Sequence, residues 1–138
     1  MHKETDFFID GSWVKPNSNR TLSVINPSTE ASICQITLGD ESDLNRAVEA
    51  AKNAQPEWAV TSKEERLALL ESLLSIYKSK MGEMAQVISD EMGAPISLAQ
   101  SAQAGAGFAH LRQTIKTLES FSFTTEVVKK EGVDHIFH

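Results

Sequence analysis

The chain has 138 residues, of which 41% are hydrophobic and 23% are charged, a composition typical of folded globular proteins. Its formal net charge of −6 makes nucleic acid and anionic membranes poor partners. No apolar run approaches the roughly 18 residues that a membrane-spanning helix needs. The sequence has one cysteine, Cys34, which excludes a disulfide within the chain and fits a reducing compartment. We therefore expect a cytoplasmic protein that forms one domain or a part of one.

Residues 1–39 have the pattern of two β-hairpins. In the first hairpin, Asp10-Gly11 lies between apolar residues and predicts a tight turn, because glycine accepts a positive φ. In the second, residues 21–25 and 33–36 are expected to pair, with turn-forming residues between them. Cys34 then lies inside a strand with no histidine near it in the sequence. We interpret it as a packing residue, because a nucleophilic thiol needs a lowered pKa.

Residues 40–120 have the apolar periodicity of four helices. Asp40 is placed to cap the first helix, and Pro56 is expected to end it. Ser62 and Glu65 have the spacing of a capping box, which predicts the start of the second helix.

The second helix has an apolar stripe of about two heptads, which favours a packed core face over a coiled coil. The stripe consists of Leu67, Leu70, Leu74, Tyr77 and Met81. Gly82 is expected to end this helix, and a short third helix follows as far as Gly93. Pro95 then opens the fourth and longest helix, which should reach about Glu119.

The first half of the fourth helix is rich in alanine and glycine, which indicates close approach of a neighbouring backbone or a ligand. Gly105 and Gly107 do not predict a dinucleotide-binding loop. They fall inside a helix, and His110 stands where that motif has its third glycine.

Residues 121–138 are expected to form a loop followed by a strand near residues 133–137. On a strand, His135 and His138 would face opposite sides, so they do not predict a metal site. The residues alone therefore indicate a mostly α fold with N-terminal β-hairpins, and they indicate no function.

Several short motifs, taken in order, resemble the aldehyde dehydrogenase superfamily over nearly the whole chain. Phe8-Ile9-Asp10-Gly11-Ser12-Trp13-Val14 is similar to the opening hairpin of that family, and Ile25-Asn26-Pro27-Ser28-Thr29-Glu30 to its "NPST" turn. Ala47-Val48-Glu49-Ala50-Ala51-Lys52 with Trp58 is similar to its first helix, and Glu65-Arg66 with Leu70 to the start of its second. Glu91-Met92-Gly93-Ala94-Pro95-Ile96 resembles its "E-x-G-K-P" junction, with Ala94 where lysine is frequent.

The resemblance implies the N-terminal part of the aldehyde dehydrogenase α/β fold, without its Rossmann sheet. In that family a cysteine thiolate attacks an aldehyde, hydride passes to NAD or NADP, and a glutamate-activated water releases the carboxylate. The residues with these roles are expected to lie C-terminal to this segment, and Cys34 does not match the catalytic cysteine. We therefore expect the 138 residues alone to be inactive and to bind no cofactor.

The resemblance also implies two sets of site residues. The backbone carbonyl of Ile25 and the carboxylate of Glu91 match positions that hold a monovalent cation in some members. Gln103, Ala106 and Gly107 fall where the fourth helix borders the substrate tunnel, although small residues there would equally suit close helix packing.

A segment of this kind would have apolar helix faces without the sheet that they cover in the family. Its surface should then exceed the roughly 7,100 Å² of a compact chain of this mass. The alternative to an inactive enzyme segment is a helical interaction module that associates with copies of itself through these faces.

Overall fold

A computed structural model describes residues 5–130 and 133–137, and it describes side chains as far as residue 125. Two β-hairpins come first, a group of helices follows, and a third strand pair comes last. The expected fold class, mostly α with N-terminal hairpins, is confirmed. The described strands form three separate two-stranded antiparallel sheets and no larger sheet.

The first hairpin consists of β1 (Phe7–Ile9) and β2 (Ser12–Val14). Its two-residue turn has positive φ at both Asp10 (53°) and Gly11 (71°), as a type I′ turn requires. The positive φ predicted at Gly11 is therefore confirmed.

The second hairpin consists of β3 (Thr21–Ile25) and β4 (Ser32–Thr37), with Val24 opposite Cys34. Cys34 is half-buried on β4, inside a strand as predicted. The pairing shifts register between Val24 and Ile25, next to the turn.

The last strand pair consists of β5 (Thr125–Lys130) and β6 (Val133–Phe137). The strand predicted near residues 133–137 is present. The prediction of a loop over residues 125–130 is wrong, because they form β5. Two adjacent valines at positions 127 and 128 were a strand signal, because β-branched residues favour the pleated conformation. His138 lies outside the described residues.

Helix α1 (Glu41–Ala59) begins as predicted, since the Asp40 side chain accepts a hydrogen bond from the backbone N–H of Asp43. The prediction that Pro56 ends α1 is wrong, because the helix continues to Ala59. Proline destabilises a helix most where the backbone hydrogen bond that its missing N–H removes would be buried. Here it lies in the last turn, where every residue from 51 to 60 is exposed and water can reach the freed carbonyl.

Helix α2 (Lys63–Met92) has the predicted capping box, with hydrogen bonds between Ser62 and Glu65 in both directions. The prediction that Gly82 separates two helices is wrong, because α2 runs through it for 30 residues. A glycine inside a helix costs about 1 kcal/mol, which tertiary packing offsets. Here Ala85, less than one turn later, is fully buried against the helices that follow.

The fourth predicted helix is one helical run with three parts. Pro95 precedes α3 (Ile96–Leu98), a π-helical turn (Ala99–Gln103) follows, and α4 (Ala104–Ser120) completes it. The predicted start at Pro95 and end near residue 119 are confirmed. The π-helical turn is a feature that apolar periodicity does not reveal.

The core is small and lies between α2 and the helical run 96–120. Its buried apolar residues are Ala85, Ala99, Ala104 and Ile115. The chain exposes 10,639 Å², against the roughly 7,100 Å² of a compact chain of this mass. The expectation of an enlarged surface is therefore confirmed.

Candidate functional site

The turn after β3 lies against the C-terminal end of α2. Gly93 ends α2 in the left-handed conformation, with φ of 69°, and its N–H donates to the carbonyl of Ser89. A Cβ atom at this position would lie 2.8 Å from Cγ of Pro27 and 3.1 Å from Oγ of Ser28. Two features therefore require glycine at position 93: the positive φ of its backbone and the close packing of the turn.

Asn26 gives this turn its shape. Its side-chain oxygen accepts hydrogen bonds from the backbone N–H groups of Ser28 and Thr29, and its own N–H donates to the carbonyl of Ala31. This Asx-turn holds Pro27 against Gly93, since asparagine side chains can replace a backbone acceptor in a turn.

Ile25 and Glu91, the two predicted cation ligands, flank this junction. Ile25 immediately precedes the Asn26 turn, and Glu91 lies two residues before Gly93 in the last turn of α2. A carbonyl and a carboxylate are oxygen donors, the class of ligand that hard cations take. The part of the chain with described side chains contains no group of three His, Cys, Asp or Glu side chains that could hold a metal ion. The cation site at Ile25 and Glu91 stays a prediction.

Gln103, Ala106 and Gly107 have three different surroundings. Gln103 is half-buried at the end of the π-helical turn, and its Oε1 atom is buried without a hydrogen-bond partner. Ala106 is exposed. Gly107 lies under the ring of Tyr77, where a Cβ atom would be 2.7 Å from Cζ. The structure thus supports the close-packing alternative for Gly107, and the substrate-access role of the three residues stays a prediction.

Tyr77 connects α2 to the point where the π-helical turn becomes α4. Its hydroxyl donates to the carbonyl oxygen of Ala104 at 2.9 Å. A π-helical turn disrupts the regular backbone hydrogen bonds of a helix, so a side-chain donor at this place satisfies a buried acceptor. Gly107 permits the approach of the ring, which explains the absence of a side chain at this position of α4.

Arg66, which the sequence indicated only as part of a family motif, connects three segments. Its guanidinium lies over the ring of Trp58 at 5.3 Å and over the ring of Phe123 at 5.6 Å. It also donates to Oγ1 of Thr61 and to the carbonyl of Trp58. Nearby, Lys63 donates to the carbonyl of Glu119. These contacts fix the end of α1 and the segment after α4 to the start of α2.

Asp43 connects the segment between the two hairpins to α1. It is almost completely buried, and its carboxylate accepts hydrogen bonds from the backbone N–H groups of Asn17 and Asp40 and from the Arg46 guanidinium. The Asn17 N–H, and to a lesser extent these other groups, lower the pKa of Asp43 to about 2. The carboxylate is a structural acceptor at the helix start, where negative charge is favourable.

Two open apolar grooves lie on the surface. One of about 900 Å³ lies between the first hairpin and α1, and Phe7, Trp13 and Leu44 are among its lining residues. The other, of about 600 Å³, lies along α4, with His110 and Phe121 among its lining residues. The exposed lining of both grooves is mostly apolar, which is the character of packing surfaces.

Comparison with known proteins identifies the family. Residues 13–137 match the sequence model of the Aldehyde dehydrogenase family. The chain is 41% identical over 136 residues to 3-succinoylsemialdehyde-pyridine dehydrogenase of a Pseudomonas species, a match that covers 94% of this chain and 28% of that relative. The chain therefore belongs to the aldehyde dehydrogenase family, and it corresponds to the N-terminal segment of its relatives.

Solved structures agree with this assignment. An aldehyde dehydrogenase from Bartonella henselae is 41% identical and superposes with a TM-score of 0.89, over 94% of this chain and 27% of that one. Aldehyde dehydrogenase C from Pseudomonas syringae, crystallised with NAD+ and octanal, is 35% identical with a TM-score of 0.89, over 94% of this chain and 26% of that one. No helix in the described part of the chain is both long and apolar enough to cross a membrane.

Proposed function

We propose that a protein containing this segment oxidises an aldehyde to a carboxylate, with NAD or NADP as hydride acceptor. The observation that carries this proposal is the superposition on aldehyde dehydrogenase C, whose crystals contain NAD+ and octanal. The reaction consumes water and reduces the nicotinamide, and the nucleophile and base that it needs come from outside these 138 residues. We also propose a cytoplasmic location, which the single cysteine supports.

The segment itself supports that reaction structurally. Ala106 is exposed and Gln103 has an unpaired buried acceptor, which favours a role for this side of α4 at the substrate entrance. The packing of Pro27 on Gly93 would bring the Ile25 carbonyl and the Glu91 carboxylate to one end of α2, where a monovalent cation would bind. Cys34 has a packing role on β4.

A chimera tests the proposal. The corresponding N-terminal segment of the Bartonella henselae relative is replaced by this chain, and NADH formation from a panel of aldehydes is followed by absorbance. We expect activity within about tenfold of the parent, because the two segments superpose closely. A Cys34→Ala chimera should be equally active. A chimera that folds and binds NAD but oxidises no aldehyde would overturn the proposal.

The 138-residue chain alone provides the complementary measurement. We expect neither NADH formation nor saturable binding of NAD by calorimetry. Turnover that is lost in the Cys34→Ala variant would contradict the packing role of that residue.

A second function, self-association, is favoured by the large exposed surface. The chain exposes about 3,500 Å² more than a compact chain of its mass, which follows from 10,639 Å² and the expected 7,100 Å². Apolar area contributes about 25 cal/mol per Å² on burial, so association of exposed helix faces is favourable. The 138-residue chain is thus proposed to form a homo-oligomer.

A further inference from the structure

Asp10, at the tip of the first hairpin, differs from the other aspartates whose side chains the structure describes. It is exposed, and no hydrogen bond or ion pair from a described residue engages its carboxylate. Its neighbour Gly11 is the only glycine that directly follows an aspartate in the sequence. Three other aspartates accept hydrogen bonds, namely Asp40, Asp43 and Asp90. Asp6 is followed by the bulky Phe7.

The backbone around Asp10 is accessible and weakly held. The strand register pairs Ile9 with Ser12, so Asp10 and Gly11 lie outside the ladder. A Cβ atom at Gly11 would meet nothing within 4 Å, which means that the backbone nitrogen of Gly11 can be approached without a clash. The hairpin has only three residues in each strand, and an isolated two-stranded ribbon is marginally stable, so this turn opens readily.

We infer that Asp10 is a site of spontaneous covalent modification, at which the backbone nitrogen of Gly11 closes a succinimide ring that opens to isoaspartate. The nitrogen forms a bond to the Cγ carbon of the protonated Asp10 carboxyl group, and the amide proton and the carboxyl hydroxyl leave as one water. A second water then opens the ring. Breaking the bond to Cγ restores aspartate, and breaking the bond to the backbone carbonyl carbon gives isoaspartate. Water is the only co-reactant, and no atom is oxidised or reduced.

The modification changes the hairpin, because the main chain of isoaspartate runs through its Cβ atom and is one atom longer. Asp10 has a φ of 53°, in the left-handed region that a type I′ turn requires, and the longer residue no longer has that geometry. The edge-to-face contact between Phe8 and Trp13, with ring centroids 5.3 Å apart, depends on the present register. We therefore expect residues 7–9 and 12–14 to lose protection from hydrogen exchange, whereas α2 keeps it. This inference is independent of aldehyde oxidation and of self-association.

The first experiment incubates the folded 138-residue chain in neutral buffer prepared with heavy-oxygen water and locates isoaspartate by peptide mapping with electron-transfer fragmentation. Isoaspartate should form at Asp10 at least about tenfold faster than at Asp6, Asp40 or Asp43, which corresponds to about 1.4 kcal/mol in the barrier. The product at Asp10 should contain one heavy oxygen atom. Equal formation at Asp6, or a product without heavy oxygen, would overturn the inference.

Matched variants test the role of the following residue. Asp10→Asn keeps a turn that favours Asn-Gly, and ammonia leaves in place of water, so isoaspartate at position 10 should appear faster than in the parent chain. Asp6→Asn makes the same substitution in front of Phe7, and isoaspartate at position 6 should stay at least about tenfold slower. Equal formation in both variants would overturn the inference.

A last comparison asks whether the fold leaves Asp10 accessible. The same incubation is repeated in guanidinium chloride, and far-UV circular dichroism verifies that the chain without denaturant is helical. The rate at Asp10 in the folded chain should lie within about tenfold of the rate in the unfolded chain. Formation of isoaspartate in the unfolded chain alone would show that the hairpin protects Asp10, and it would overturn the inference.

Discussion

Gly105 and Gly107 lie two residues apart in α4, and they should respond in opposite directions to the same substitution. A Cβ atom at Gly105 meets nothing within 4 Å, whereas one at Gly107 would lie 2.7 Å from Cζ of Tyr77. Both residues lie in α4, so replacement by alanine brings the same gain in helix propensity, about 1 kcal/mol.

For Gly107→Ala this gain is outweighed. Overpacking against the Tyr77 ring costs about 1–3 kcal/mol. Displacing the ring also removes its hydrogen bond to Ala104, which costs about 1 kcal/mol. We therefore expect Gly107→Ala to lower the free energy of unfolding by about 1–3 kcal/mol, and Gly105→Ala to raise it by about 0.5–1 kcal/mol.

The assay is urea unfolding of the 138-residue chain, monitored by circular dichroism at the helix band. Thermal unfolding of the chimera with the same substitutions gives a second measurement. Tyr77→Phe separates the two costs, because it removes the hydrogen bond and leaves most of the ring in place. If Gly107→Ala is neutral or stabilising, as Gly105→Ala is expected to be, the close contact between α2 and α4 is not present as described.

Three further predictions concern other contacts. Gly93→Ala should lower the free energy of unfolding in urea by about 2–4 kcal/mol, because alanine tolerates the positive φ poorly and its Cβ atom would overlap Pro27. An unchanged midpoint would show that the turn does not pack on the end of α2. Gly11→Val should destabilise by more than about 1 kcal/mol, because a β-branched residue tolerates positive φ poorly, and a cooperative chain with the parent's midpoint would contradict that turn. The lowered pKa of Asp43 means that its contribution to stability is present above its ordinary pKa of about 3.9 and is lost as the pH falls toward about 2. The thermal midpoint of the parent chain should therefore decrease as the pH is lowered through this range, and it should decrease less steeply in Asp43→Asn. Equal acid sensitivity of the two chains would argue against the hydrogen bond from Asn17.

Features that depend on neighbouring residues could be predicted from the sequence. The Asp40 cap, the box formed by Ser62 and Glu65, and the turn at Asp10-Gly11 are each determined within four residues. Local patterns therefore located the starts of the helices and the first hairpin.

Features that depend on contacts across the fold were missed or misplaced. Gly82 has the local character of a helix end, but packing around Ala85 outweighs its low propensity. The π-helical turn is stabilised by Tyr77, which is 27 residues away from Ala104 in the sequence. Arg66 joins Trp58 to Phe123, and no spacing rule brings those three together.

The candidate site shows the same division. The motifs around Ile25 and Glu91 could be recognised in the sequence. The reason that those segments meet, the fit of Pro27 on Gly93, required coordinates. The surroundings of Gln103 also depend on the π-helical turn, which the sequence did not indicate.

Each of the three strand pairs in the described part of the chain is a two-stranded ribbon, so every strand has one edge whose N–H and C=O groups are not used by its partner. Such edges can template pairing with any extended segment that reaches them. The second and the last ribbon present the longest edges, since each pairs a strand of five residues with a strand of six. Pairing of this kind would appear as fibrillar aggregation of the 138-residue chain while its helical content stayed unchanged.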